Sequence, residues 1–150
     1  MYINASEYLQ EIRATRITIN NYKRALNNLE HVIGISAINY EGERISSTPR
    51  KDRLENEVIK HLEEKERLEQ AINDKISFLN NRINEAVDLI SQIESEKQQE
   101  VLMMRYIEGK KWSEILEERD CDSISSQNKL HERALESMQI ILNDSFMDSI

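Results

Sequence analysis

Residues 101–135 read VLMMRYIEGKKWSEILEERDCDSISSQNKLHERAL, and the punctuation of this stretch decides the fold. Val101, Leu102, Met104, the stem of Arg105 and Tyr106 make the inward face of a helix, and the run stops at Gly109, a residue suited to the turn past a helix end. A short second helix is predicted from about Trp112 to Arg119, burying Trp112, Ile115 and Leu116. Asp120-Cys121-Asp122 reads as a turn, with Cys121 a small apolar turn residue, and Ser123 as the N-cap of the third helix. That helix is predicted over Ile124 to Leu142, with Leu130, Ala134, Met138 and Ile141 turned inward. A short helix, a tight turn and a longer helix make a helix-turn-helix.

Upstream, the pattern changes to long seams. Ile12, Ile19, Leu26 and Ile33 repeat every seven residues, and Tyr8, Thr15, Tyr22 and Leu29 fill the intervening positions. This is an a/d stripe with one polar lapse, Thr15, and it predicts a helix over Asn4 to Ile33 with its cap region at Ser6. Gly34 to Asp52 contains Gly34, Gly42 and Pro49 and reads as a loop, with Ile35, Ile38, Tyr40 and Ile45 packing down or pairing as a short hairpin. From Arg53 to Glu96 there is no Gly or Pro. Leu62, Ile72, Ile76, Leu79, Ile83, Ala86, Ile90 and Ile93 follow a 3-4 spacing there, with Leu54, Val58 and Leu68 near it. A helix of that length, about 65 Å, cannot stand alone on a narrow apolar stripe. It needs the first helix folded back along it, and a second copy of the chain is the expected cover for the rest; the alternative is a monomeric hairpin carrying the C-terminal domain. Lys65 and Glu69 interrupt the stripe and mark a point where the seam weakens or changes partner. The organisation expected is therefore all-α: a coiled-coil-like antiparallel hairpin and dimerisation element over 1–96 with a loop at 34–52, a helix-turn-helix domain over 97–142, and a frayed tail over 143–150.

Composition agrees with long helices and limits function. Charged residues make up 32% of the 150, against one Pro and three Gly, too few breakers for a turn-rich fold. The net charge is -8, so contact with nucleic acid has to come from a local basic face. The single cysteine suits a reducing compartment, the N-terminus with Glu7, Glu11, Arg13 and Arg16 is not a signal peptide, and no apolar run is long enough for a membrane, so a cytoplasmic protein is expected. His31, His61 and His131 have no partner at metal-ligand spacing. The Glu-rich stretch 55–69 reads as a solvated face with pairs such as Glu57-His61 and Glu63-Arg67. No phosphate loop or nucleophile motif is present, so a non-enzymatic protein without cofactor is expected.

VLMMRYIEGKKWSEI (101–115), followed by Ser123 and KLHERALESM (129–138), resembles region 4 of bacterial sigma factors. It is more closely similar to small phage and prophage proteins of Gram-positive bacteria related to the ArpU and RinA late-gene regulators. The likeness is looser upstream, at Tyr8-Leu9 and Ser46-Ser47. It implies a transcription regulator that binds DNA through a sigma-like helix-turn-helix, with RNA polymerase as a possible partner. The chain departs from that pattern in three places: one extra residue in the turn, Asp120 in place of the usual turn Gly, and Gln127 at a position the family fills with an apolar residue.

Under this reading the outward residues at the front of the third helix, Ser125, Ser126, Asn128, Lys129, Glu132 and Arg133, face DNA, and Lys110 and Lys111 clamp its backbone. Arg105 either meets phosphate or pairs with Glu114 or Glu117, the pair being favoured. Trp112 and His131 read as packing residues. Opposed to DNA binding is the balance from Lys97 onward, seven basic residues against eleven acidic, a net of -4. Two rival readings remain: an adapter that contacts RNA polymerase or another regulator through the same helices, and a purely structural coiled coil.

Overall fold

A computed structural model of the chain describes residues 3–42, 48–119 and 123–148. Among them every regular element is helical: α1 (Ala5–Gly42), α2 (Thr48–Ile90), α3 (Glu96–Leu102) running into a π-helical turn (Met103–Ile107), α4 (Trp112–Glu118) and α5 (Ile124–Asp148). No helix among the described residues is long and apolar enough to cross a membrane. The helices divide between two compact units, Met1–Arg16 with Phe78–Ile150, and Ile17–Ser77. The boundary expected at 96/97 thus falls inside the first unit.

Three predicted boundaries are corrected. Residues 34–42 and 48–52 are helix, not loop, and Ile35, Ile38 and Tyr40 lie in α1 rather than in a hairpin; Ile45 lies outside the described residues. A glycine inside a helix costs only about 1 kcal/mol, too little to end one. Pro49 falls in the first turn of α2, where its missing N–H is no loss. Second, α2 ends at Ile90, not near Glu96. Ser95 restarts the helix by accepting from Gln98 N (3.3 Å), and buried Ile93 holds the intervening turn down. Third, the tail expected after Leu142 continues α5 to Asp148, since no breaker interrupts it; Leu142 is buried and Gln139 Nε2 donates to Asn143 Oδ1 (3.0 Å).

In the first unit, the start of α1 completes the C-terminal core. Ala5, Tyr8, Leu9 and Ile12 are buried, as are Ile90, Val101, Leu102, Tyr106, Ile115, Ala134 and Met138. The N-terminus of α1 is closed twice. Asn4 Oδ1, rather than Ser6, accepts from Glu7 N (3.2 Å), and Gln139 of α5 accepts from Ala5 N and donates to Ile3 O (both 2.8 Å). Tyr8 donates to Glu85 (2.7 Å), and Arg82 lies over the Tyr8 ring and pairs with Glu11 (3.5 Å). Within the C-terminal segment, Ser137 donates to Gln98 (2.6 Å) and the nearly buried Arg119 pairs with Glu100 (3.0 Å), holding α5 and α4 to α3.

The second unit, Ile17–Ser77, is thinner. Ile19 and Ile72 are buried, and Tyr22, Leu26, Leu29, Ile33, Leu54, Val58 and Leu68 are half-buried. Lys75 lies over the Tyr22 ring, and Lys65 pairs with both Glu30 (3.7 Å) and Glu69 (3.9 Å), so the polar break in the stripe is bridged by charge. Leu62, expected in the seam, is exposed; His61 and Lys65 take the inward positions beside it. Ile17, Val32, Ile35 and Ile59 are also exposed.

Candidate nucleic-acid interface

The front of α5 is capped by Ser123 and held inward by Gln127 and His131. Ser123 Oγ accepts from Ser126 N (3.1 Å), the N-cap its position implied, and donates to Ser126 Oγ (3.1 Å). Gln127 is 3% exposed. Its Nε2 donates to the carbonyl of Trp112 (3.2 Å), tying the first turn of α5 to the first residue of α4. This buried polar residue is therefore an inter-helix pin, although its Oε1 is buried without a partner. One turn on, His131 Nε2 and the Tyr106 hydroxyl share a hydrogen bond (2.7 Å), and the Trp112 ring meets His131 edge-on at 4.6 Å between centroids. Burial holds the His131 imidazole below its ordinary pKa, with the Arg105 charge adding to this and Glu132 opposing it. Burial pushes the Tyr106 hydroxyl up.

Arg105 completes the cluster in a way the sequence did not indicate. Its guanidinium lies 4.5 Å over the Trp112 ring and donates to Lys110 O (3.1 Å), instead of pairing with Glu114 or Glu117. A residue planted on Trp112 cannot also reach carboxylates further along α4. Trp112 itself is half-buried, with the Arg105 guanidinium and the His131 imidazole against its ring. Of the residues expected to turn inward, Ile115, Ala134 and Met138 are buried, whereas Leu116, Leu130 and Ile141 are half-buried.

With Gln127, Leu130, His131 and Ala134 turned in, the opposite side of the helix is set. Ser125, Asn128, Lys129, Glu132 and Arg133 all lie exposed at i, i+3, i+4, i+7 and i+8. Ser126 is exposed too, but its hydroxyl and N–H are already engaged by Ser123. The bond from Gln127 to Trp112 brings this front edge next to Lys111, which is exposed in extended conformation just before α4. Among the described residues no carboxylate pairs with Lys111, Lys129 or Arg133. Lys110 is different: it pairs with Glu118 and with Glu108 (3.0 Å), and these carboxylates hold its pKa above the ordinary lysine value. It is not the free backbone clamp that its place beside Lys111 suggests. The turn residues Asp120, Cys121 and Asp122 lie outside the described residues.

No family model, curated protein or solved structure matches this chain. The reading of the site therefore stands on its own geometry. An amide, a lysine and an arginine share an exposed helix face with a second lysine at its edge. That combination can donate to and accept from base edges and place two or three positive charges on phosphates. Among the described residues no group of three His, Cys, Asp or Glu is arranged to hold a metal. Nothing in the sequence pointed to Gln127 as a pin, or to Arg16, whose guanidinium reaches from α1 to donate to Ile107 O at the end of the π-turn.

Proposed function

We propose that this chain is a phage-type transcription regulator, in which α4, the turn and α5 form a sigma region 4-like helix-turn-helix that binds DNA, on a coiled-coil-like α1–α2 hairpin that pairs two copies. One observation carries the reading: Asn128, Lys129 and Arg133 stand exposed on one face of a helix whose opposite face is fixed by Gln127, His131 and Ala134. A recognition helix needs this division, because a helix that rolls on its support cannot present a constant pattern to a groove. Dimerisation is supported by Ile17, Val32, Ile35, Ile59 and Leu62, apolar side chains left open in a unit with a thin core. It also doubles the phosphate contacts available to an acidic chain.

A second reading has its own observation. The engagement of Lys110 by Glu108 and Glu118 removes one expected phosphate contact and places carboxylates beside α4. That suits an adapter that meets RNA polymerase or another regulator through the same face. Mobility shift of the full chain on duplex DNA from around its own gene decides between them. The regulator reading expects a salt-sensitive shift abolished by Lys129→Glu or Arg133→Glu. Failure to shift any such duplex at low salt, with polymerase subunits captured equally by both variants, would favour the adapter.

A further inference from the structure

The strongest feature outside the helix-turn-helix face is the pair of arginines, Arg16 and Arg105, that hold the turn ending the π-helix, with Arg13 one helical turn before Arg16 on the same helix. Arg13 and Arg16 lie one turn apart on α1, at the i, i+3 spacing that places them on one face. Arg16 donates to Ile107 O and its side chain covers Gly109. Arg105 approaches the same turn from the other side, donating to Lys110 O (3.1 Å). All three are half-buried.

Each fixed guanidinium donates to one backbone carbonyl, which accepts a hydrogen bond but carries no net charge to offset the cation. Arg16 Nη1 and Arg105 Nε have no partner at all. Among the described residues no carboxylate pairs with Arg13, Arg16 or Arg105, although the chain holds 28 acidic residues against 20 basic ones. Like charges gathered at a partly desolvated site repel each other. The positive charge of Arg13 accordingly lowers the pKa of both Arg16 and Arg105, after the larger effect of their burial. Such a concentration of positive charge with low-dielectric walls attracts an anion.

We infer that Arg13, with Arg16 and Arg105 behind it, forms a phosphate-binding site at the 107–110 turn, taking a backbone phosphodiester of the DNA held by α5. Assigning the phosphate to DNA rests on the regulator reading above. The site adjoins that face through the main chain, since Arg105 holds Lys110 O and Lys111 follows directly. Arg16 and Arg105 shape the turn and supply field; Arg13, tied to no carbonyl or carboxylate among the described residues, is the arm that meets the oxygen.

Arg13 is also the residue to change, because Arg16 and Arg105 hold the fold. On a duplex of about 30 base pairs, Arg13→Gln is expected to reduce the slope of log affinity against log salt by about 0.9, an affinity loss of about eightfold at 0.1 M salt. Arg13→Lys restores most of it. In parallel, the full chain is melted in sodium phosphate, in sodium chloride of equal ionic strength, and with polyglutamate. Duplex binding abolished by Lys129→Glu but untouched by Arg13→Gln overturns this site and leaves the regulator reading standing. No duplex binding by the parent chain, with a phosphate-specific rise in melting temperature that Arg13→Gln removes, supports the phosphate site and sinks the regulator reading instead. Equal stabilisation by polyglutamate, or no Arg13-dependent effect of phosphate or duplex, overturns the inference.

Discussion

Gly109→Ala tests the joint between α1 and the C-terminal helices. Gly109 has φ +75°, where a residue with a Cβ is disfavoured by about 1–2 kcal/mol. A Cβ there would also fall inside the van der Waals surface of the Arg16 guanidinium, with Cζ and Cδ of Arg16 3.4 and 3.5 Å away. That group is the far end of a flexible side chain held by its bond to Ile107 O, and moving it aside gives up that bond, a loss of about 1–3 kcal/mol. Together these give about 3 kcal/mol, or a fall of about 6–12 °C in melting temperature for a chain of this size. Urea unfolding of three variants separates the two parts. In an Arg16→Ala background, Gly109→Ala should cost only the backbone component, about 1–2 kcal/mol. Gly34→Ala is the control of opposite sign: its Cβ would meet nothing within 4 Å on an exposed face of α1, so the change should stabilise by about 0.5–1 kcal/mol. If Gly109→Ala melted within about 1 °C of the parent, the covering of this turn by Arg16 would be wrong.

Removal of the Gln127 pin by Gln127→Ala should cost about 2 kcal/mol in chemical denaturation, from the lost bond to Trp112 O and the cavity left; a change below about 0.5 kcal/mol would show that the pin holds nothing. His131 is held neutral by burial, so its folded pKa lies below the unfolded value of about 6.5. The stability it contributes is complete above that pH and is lost as pH falls from there through the folded pKa. His131→Phe should flatten urea midpoints between pH 7.5 and 5.5, and an unchanged slope would count against this assignment. Lys111→Ala should weaken binding to duplex DNA severalfold, whereas Lys110→Ala, already neutralised by Glu108 and Glu118, should change it little; equal losses by titration would contradict the ion-pair geometry. Light scattering should give twice the 17.7 kDa chain mass, and Ile59→Lys with Leu62→Lys should return it to one; a parent chain already at 17.7 kDa removes the dimer.

What is readable in the chain is whatever a local signal reports. The heptad of Ile12, Ile19, Leu26 and Ile33 marks residues that are all buried or half-buried, because periodicity measures which side of a helix meets another surface. Gly109 and Ser123 do in space what their chemistry suggests, as a left-handed turn and a helix cap. The loop expected at 34–52 shows the limit of reading breakers alone: a helix propagates past isolated glycines when its neighbours favour it. The end of α2 carries a local signal of its own that the unbroken run around it masks. Ser95-Glu96-Lys97-Gln98 has the spacing of a helix start, and it is where α3 begins. Gln127 and Arg16 are illegible for another reason. Their partners are the carbonyls of Trp112 and Ile107, and no side-chain pattern announces a backbone acceptor 15 or 91 residues away.

The same distinction governs the charges. Lys110 and Lys111 are indistinguishable in sequence, and the choice between them is made by Glu118, eight residues further along, which returns to pair with the first and leaves the second exposed. Arg13 and Arg16 look like ordinary members of a charged helix surface, yet Arg16 covers a glycine turn and Arg13, one helical turn before it, has no carboxylate partner among the described residues. Net charge therefore says little about what this chain can hold, because folding engages some cations with carboxylates, as at Lys65, Arg82, Lys110 and Arg119, and leaves others exposed in defined places. An acidic chain gains from this arrangement, since its remaining carboxylates repel a polyanion everywhere except at the few positions where unpaired cations gather. Affinity would then depend on the placement of those cations more than on their number, and so on the Gln127 and Arg16 contacts that hold their helices in position.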